Sequence, residues 1–238
     1  MKRSNQIALS EEEALNALDF IRRHVAPLPG KRVLDIGCGK GALAKALSAE
    51  GARVVGVDPA EAALGQARIT APAATFECSG AEALPFPDEM FDAAIFLNAL
   101  HHVPPKSMRQ ALAEARRVTR EDGRILVIEP LAQGSFNEVL KFVNDETEVR
   151  ALAQAALVET AAADGFEHGD TIVFTRREPF DGFDGFVTRA TAADPARNEI
   201  VARHRAQIEA AFHHFAARED GLYWLDQPLK ADVLARRP

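Results

Sequence analysis

The chain has 238 residues, with 28 Lys plus Arg against 35 Asp plus Glu and a formal charge of −7. That length fits one large α/β domain, and 47% hydrophobic with 26% charged residues excludes a disordered or collagen-like chain. The acid excess argues against nucleic acid as the main partner, because phosphate binding needs clustered Lys and Arg.

No apolar run reaches 18 residues, so no membrane span is expected. The N-terminal MKRSNQIALSEEE lacks an apolar stretch, so no secretory signal is expected, and two isolated cysteines, Cys38 and Cys78, point to a reducing cytoplasm. The acidity is uneven. Residues 1–130 carry 16 basic and 17 acidic side chains (net −1), and residues 131–238 carry 12 and 18 (net −6).

In chain order, Ser10 and Glu13 form a capping box ahead of Leu15, Leu18, Ile21 and Val25 at helical spacing. Pro27, Pro29 and Gly30 end that helix. A strand at Arg32–Ile36 leads through a glycine turn to a helix carrying Leu43 and Leu47. Further strands read at Arg53–Val57, Ala74–Cys78, Ala93–Leu97 and Arg124–Ile128. Between them lie a helix with Ala63, Leu64 and Ala67 and one with Met108, Leu112, Ala115 and Val118, the latter followed by a turn at Asp122–Gly123. Apolar strands alternating with helices predict a parallel sheet covered on both faces.

Beyond residue 130 the pattern becomes mainly helical. Phe136, Val139, Leu140 and Val143 predict a short helix, and Val149, Leu152, Ala156 and Val158 a longer one. A further helical face carries Ile200, His204, Ile208, Ala211 and Phe215. Strands are expected at Thr171–Phe174 and Leu222–Leu234, paired with each other. Phe136, Phe142, Phe180, Phe183 and Phe186 are candidates for pocket lining or helix packing, and FDGFDGF at 180–186 reads as a glycine-punctuated loop.

The segment VLDIGCGKGALA, residues 33–44, places Gly37, Gly39 and Gly41 between a strand and a helix. Backbone approaches a ligand closely at such a turn, where a Cβ has no room. Gly37, Gly39 and Ala42 also satisfy a dinucleotide fingerprint, with Asp58 about 20 residues on. Asp35 discriminates between ligands. Its carboxylate would repel a pyrophosphate and suits a ligand with ammonium and sulfonium charges, such as S-adenosylmethionine.

VLDIGCGKG, VVGVDPA at 54–60, AEALPFPDEMFDAAIFLNALHHV at 81–103 and DGRILVIEP at 122–130 resemble the class I S-adenosylmethionine-dependent methyltransferases of the methyltransferase-11 type. The resemblance spans about residues 30–130. It implies an S-adenosylmethionine site, left as S-adenosylhomocysteine after transfer, with Asp35, Gly37, Cys38, Gly39 and Gly41 around the methionine portion. Asp58 would accept the ribose hydroxyls, and Pro59, Ala81 and Glu82 would border adenine. Asn98 would sit near the transferable methyl. One position departs from the family pattern: relatives often carry an acid before the Ala-Glu pair to accept from the adenine amino group, and here Gly80 stands there.

Pattern and resemblance together predict an α/β, Rossmann-like three-layer sandwich. Its sheet is mostly parallel and seven-stranded, with one antiparallel strand and a helical cap inserted near the C-terminus. A single domain, 1–238, is expected, with a cofactor core at 30–130, a substrate-covering region at 131–220 and a closing strand at 221–238. The acceptor is a small organic molecule, and the protein a monomer or homodimer.

His101 and His102 are the candidate general bases, since imidazole titrates near neutrality, though the pair suits positioning as well as proton transfer. Glu129, ending the fifth strand, is a second candidate and equally compatible with a structural role. His24 reads as solvated, and His204, His213 and His214 lack a metal-ligating pattern. No Asn-Pro-Pro-Tyr sequence follows the fourth strand, which lowers nucleic-acid methylation. An NAD(P)-dependent oxidoreductase is the competing class, though Tyr223 is followed four positions on by Gln227 rather than Lys. A non-catalytic S-adenosylmethionine-binding protein is the third.

Overall fold

A computed structural model of the chain describes residues 16–162, 165–192 and 194–236. The Ser10–Glu13 capping box lies outside these residues. The first described helix, α1 (Ala17–Val25), is capped by the Asn16 side chain, which accepts the Asp19 N–H at 3.0 Å, and it buries Phe20, Ile21 and Val25.

Five strands and three helices then alternate: β1 (Arg32–Ile36), α2 (Ala42–Ala49), β2 (Arg53–Asp58), α3 (Glu61–Thr70), β3 (Thr75–Cys78), β4 (Phe91–Leu97), α4 (Met108–Val118) and β5 (Thr119–Pro130). They are followed by α5 (Gly134–Leu140), α6 (Thr147–Ala162), β6 (Phe166–Phe180), α7 (Phe183–Thr191), α8 (Arg197–Phe215), β7 (Ala217–Glu219) and β8 (Leu222–Arg236).

The sheet runs β3-β2-β1-β4-β5-β8-β6, with β7 antiparallel to β8. Strands β3, β2, β1, β4 and β5 are parallel neighbours, the Rossmann-like arrangement. Most of β1 and β4 is buried, as befits parallel strands whose two faces are both covered. The expected partnership of the last strand with the Thr171 strand is observed as β8 beside β6. The short β7 brings the strand count to eight.

Several local expectations are corrected. Asp122–Gly123 is no turn but an irregularity inside β5, where the register jumps from Phe91↔Thr119 to Ala93↔Arg124. The buried face of α6 carries Arg150, Ala153, Ala156, Leu157 and Thr160, and leaves Leu152 and Val158 exposed. FDGFDGF is core rather than loop: Phe180 ends β6, while Phe183 and Phe186 lie on α7, and all three are buried. Their spacing of three residues keeps them on one side of the chain.

Two compact units emerge. Of the described residues, the first comprises 16–129, 152–162, 165–173 and 230–236, and the second 130–151, 174–192 and 194–229, so β6 and β8 each contribute to both. In the first unit, Leu34, Ile36, Phe91, Phe96, Leu112 and Val127 belong to one apolar core, and helices α2, α3 and α4 pack on the strands. The second unit has its own core of Phe136, Phe180, Phe183, Phe186, Phe212 and Leu225. It also buries Arg150, which donates to Asn137 at 3.0 Å, Gln227 at 3.1 Å and Glu146 at 2.7 Å. Among the described residues no helix is long and apolar enough to cross a membrane.

Candidate active site

A cavity of about 440 Å³ opens in the first unit at the carboxyl ends of β1, β2 and β4. It lies where the strand order reverses between β1 and β4, the position at which open parallel sheets bind ligands. Its lining includes Ile36, Gly37, Asp58, Pro59, Ser79, Gly80, Ala81, Glu82, Asn98, Ala99 and His102. Seven of the sequence-predicted residues therefore meet there: Gly37, Asp58, Pro59, Ala81, Glu82, Asn98 and His102. Asp35, Cys38, Gly39, Gly41 and His101 do not line it.

The glycine turn is fixed by backbone. Gly37 has φ +73°, and its N–H donates to the Val57 carbonyl at 2.8 Å. A Cβ on Gly37 would stand 2.6 Å from the Ala99 Cβ, so the first glycine turn and the segment after β4 touch where only hydrogen fits. Asp58, at the end of β2, accepts the Gly39 N–H at 3.0 Å with one oxygen and the Ala60 N–H at 2.9 Å with the other. A carboxylate offers about four lone-pair sites, so capacity remains for ligand hydroxyls.

Asp35 lies at the end of β1, 2% exposed. Burial and then the neighbouring Asp58 push its pKa up to about 7, partly opposed by a backbone hydrogen bond from Ala44 in the first turns of α2. Its Oδ2 is buried without a hydrogen-bond partner. Cys38 is also buried, and burial first, then Asp35 and Asp58, push its thiol far up, away from nucleophilic reactivity.

Gly80 acquires a reason. A Cβ there would stand 2.6 and 2.7 Å from the two Glu82 carboxylate oxygens, so the Glu82 side chain folds back over the space that a residue-80 side chain would fill. Sequence reasoning missed what braces this wall. Glu114 of α4 accepts the Leu84 N–H at 2.9 Å, and Arg117 donates to the Phe86 and Leu84 carbonyls at 2.7 and 3.0 Å. The i,i+3 spacing of Glu114 and Arg117 was a legible ion-pair signal. Nothing in the sequence marked the loop they hold.

The segment after β4 is equally constrained. Asn98 donates its N–H to Ile128 at 2.8 Å and then takes the left-handed conformation, φ +52°. Glu129, 1% exposed, collects the next three backbone N–H groups: Ala99 and Leu100 on Oε1 at 2.8 Å each, and His101 on Oε2 at 3.3 Å. Oε2 also meets His101 Nδ1 at 2.5 Å. Exposed His102 stands against the His101 ring, with centroids 4.0 Å apart.

The remaining histidines have local roles. His24 is largely buried, which lowers its pKa, and it faces Asp170 at 3.9 Å. His204 marks a kink in α8, with φ −117° and ψ 17°, and His213 packs on Phe212 and Tyr223.

Comparison with known proteins agrees with this geometry. Residues 33–123 match the family described as "Methyltransferase domain". The match covers 91 of the 238 residues and includes the glycine turn, Asp58 and the segment after β4. An uncharacterized methyltransferase, sll0829, of Synechocystis sp. is 36% identical over 127 residues, covering 51% of this chain and 60% of that protein. A ubiquinone biosynthesis O-methyltransferase of Idiomarina loihiensis is 41% identical over 104 residues, covering 41% and 43%. The chain thus spans about half the length of these relatives. The crystal structure of a putative methyltransferase from Bacillus halodurans C-125 shares the fold, with TM-score 0.64 at 22% identity over 93% of this chain and 99% of that one.

Proposed function

We propose that the protein transfers a methyl group from S-adenosylmethionine to a small organic molecule. The observation that carries this reading is the placement of Asp58 and Glu82 in a cavity bordered by the Gly37 turn, with the unpartnered Asp35 Oδ2 buried behind that turn. This carboxylate set fits a cationic, hydroxyl-bearing ligand and disfavours the pyrophosphate of a nicotinamide dinucleotide. The Gly37 turn, closed against Ala99, fits a ligand lying directly on backbone.

Asp58 would hold the ribose hydroxyls and Pro59 and Ala81 would flank adenine. Glu82, turned over Gly80, would accept from the adenine amino group in place of the acid that relatives carry one residue before the Ala-Glu pair. Asp35 would supply negative charge on the methionine side of the turn, where Asn98 also sits. When bound, S-adenosylmethionine supplies an activated methyl on a good leaving group, so the protein's contribution is mainly alignment. His102 is the imidazole at the cavity, placed to orient an acceptor or take its proton. We assign acceptor choice to the chain beyond residue 130, outside the family match.

Calorimetric titration with S-adenosylmethionine, S-adenosylhomocysteine and NADH tests the reading. Binding of both adenosyl ligands and not of NADH is expected, and the reverse pattern would overturn it. A screen of small-molecule acceptors with radiolabelled methyl donor then tests the activity.

A further inference from the structure

We propose that Glu129 is the positioning residue of this site: by gathering the N–H groups of residues 99–101, it presses the segment after β4 against the glycine turn. This deepens the methyltransferase reading and rests on it.

Four donors converge on the carboxylate, three consecutive backbone N–H groups and the His101 ring nitrogen. Four is about the number of lone-pair sites a carboxylate has, so Glu129 is saturated and has none spare to take a proton from an acceptor molecule. It lines no part of the cavity, whereas Asn98, Ala99 and His102 do. Its influence on a ligand therefore passes through that segment.

The segment depends on the carboxylate because its backbone is otherwise unusual. Asn98 leaves β4 in the left-handed region, which turns the following N–H groups inward, away from the sheet ladder. Consecutive N–H groups converging in this way make an anion-binding concavity, and here a side chain of the same protein fills it. The turn so formed sets Ala99 where Gly37 can be nothing but glycine.

His101 extends the arrangement. Glu129 Oε2 accepts the His101 backbone N–H as well as facing Nδ1, an arrangement that favours the tautomer with its hydrogen on Nδ1. The imidazole held in that way is the surface on which His102 rests. His101 thus supports the turn, and His102 is the histidine that meets a ligand.

Glu129→Gln tests this with little change in volume. The amide oxygen still accepts from Ala99 and Leu100, but its NH2 group faces the Nδ1 hydrogen, so the imidazole hydrogen is expected to move to Nε2. Nitrogen-15 shifts of the His101 ring should report that change, and S-adenosylhomocysteine affinity should fall about tenfold by calorimetry. The melting temperature should stay within about 5 °C of the parent. Parent-like affinity, or an unchanged ring pattern, overturns the positioning role. Should the variant fail to fold, the parent decides: its Ala99, Leu100 and His101 amide signals must shift on addition of S-adenosylhomocysteine, and static signals in a protein that binds the ligand overturn the proposal. A parent that binds neither adenosyl ligand overturns the cofactor reading itself.

Discussion

The two units bury charge in different ways. In the first, Asp35, Asp58 and Glu129 stand near strand ends and take backbone N–H groups, Asp35 from Ala44 of α2 and the other two from the loops around the cavity. In the second, Arg150 is buried among Asn137, Gln227 and Glu146, and a large aromatic core surrounds Phe212. The first arrangement fixes residue identity position by position, because a loop with left-handed backbone and converging N–H groups accepts few side chains. The second depends on filled volume, which many apolar sequences satisfy. The family match accordingly lies at residues 33–123.

Substitutions can break or sharpen that contrast. Phe212→Ala, at the centre of the aromatic cluster, should have the largest effect, destabilising the second unit by about 3–5 kcal/mol. Hydrogen exchange should locate the loss at residues 130–151 and 174–229, with S-adenosylhomocysteine affinity of the folded protein changed by less than about twofold. A large affinity loss would erase the division of labour.

Gly37→Ala combines a positive φ with a collision at Ala99. It should cost about 1–3 kcal/mol in thermal unfolding and abolish adenosyl-ligand binding in calorimetry. Asp58→Ala should keep the fold and weaken S-adenosylmethionine binding at least roughly tenfold, since hydrogen bonds to a charged group are worth roughly 1.5–3 kcal/mol. An unchanged dissociation constant would displace the ribose site from Asp58.

Asp35 gives the most specific effect, a dependence on pH. Its pKa rises on folding from 3.8 to about 7, so the folded state holds this proton more tightly than the unfolded chain. Its contribution to ligand-free stability is therefore lost as pH climbs from about 4 to about 7. Affinity for a cationic ligand should rise over the upper part of that window as the carboxylate ionises. Asp35→Asn should remove both slopes, measured by melting curves and by titration at pH 6 and 8. Persistence of either slope in the variant would assign it to another group.

Much of the first unit was legible because its signals are local. Strand patterns placed β1, β2 and β4, and the glycines and Asp58 marked, from residues close in the chain, the turn beside which the cavity opens. Asn98 and Glu82 were named before their geometry was known. Glu129 was readable equally as a candidate base and as a structural strand end, because nothing in DGRILVIEP shows that three N–H groups some 30 residues earlier converge on it. The Glu114–Arg117 brace escaped notice for the same reason: its partners are carbonyls and an N–H of a distant loop. In the second unit, the glycines of FDGFDGF outweighed its aromatics in the reading, although the aromatics decide the fold by burying themselves on one face.

Sequence alone thus determined the alternating architecture, the glycine turn and the carboxylate at the end of β2, because each follows from residue spacing or from conformations few residues adopt. Tertiary structure alone decided which residues meet. It turned Glu82 over Gly80, set Ala99 against Gly37, and drew the N–H groups after β4 onto Glu129. Those are long-range contacts, fixed by strand order and burial, and no local pattern encodes them.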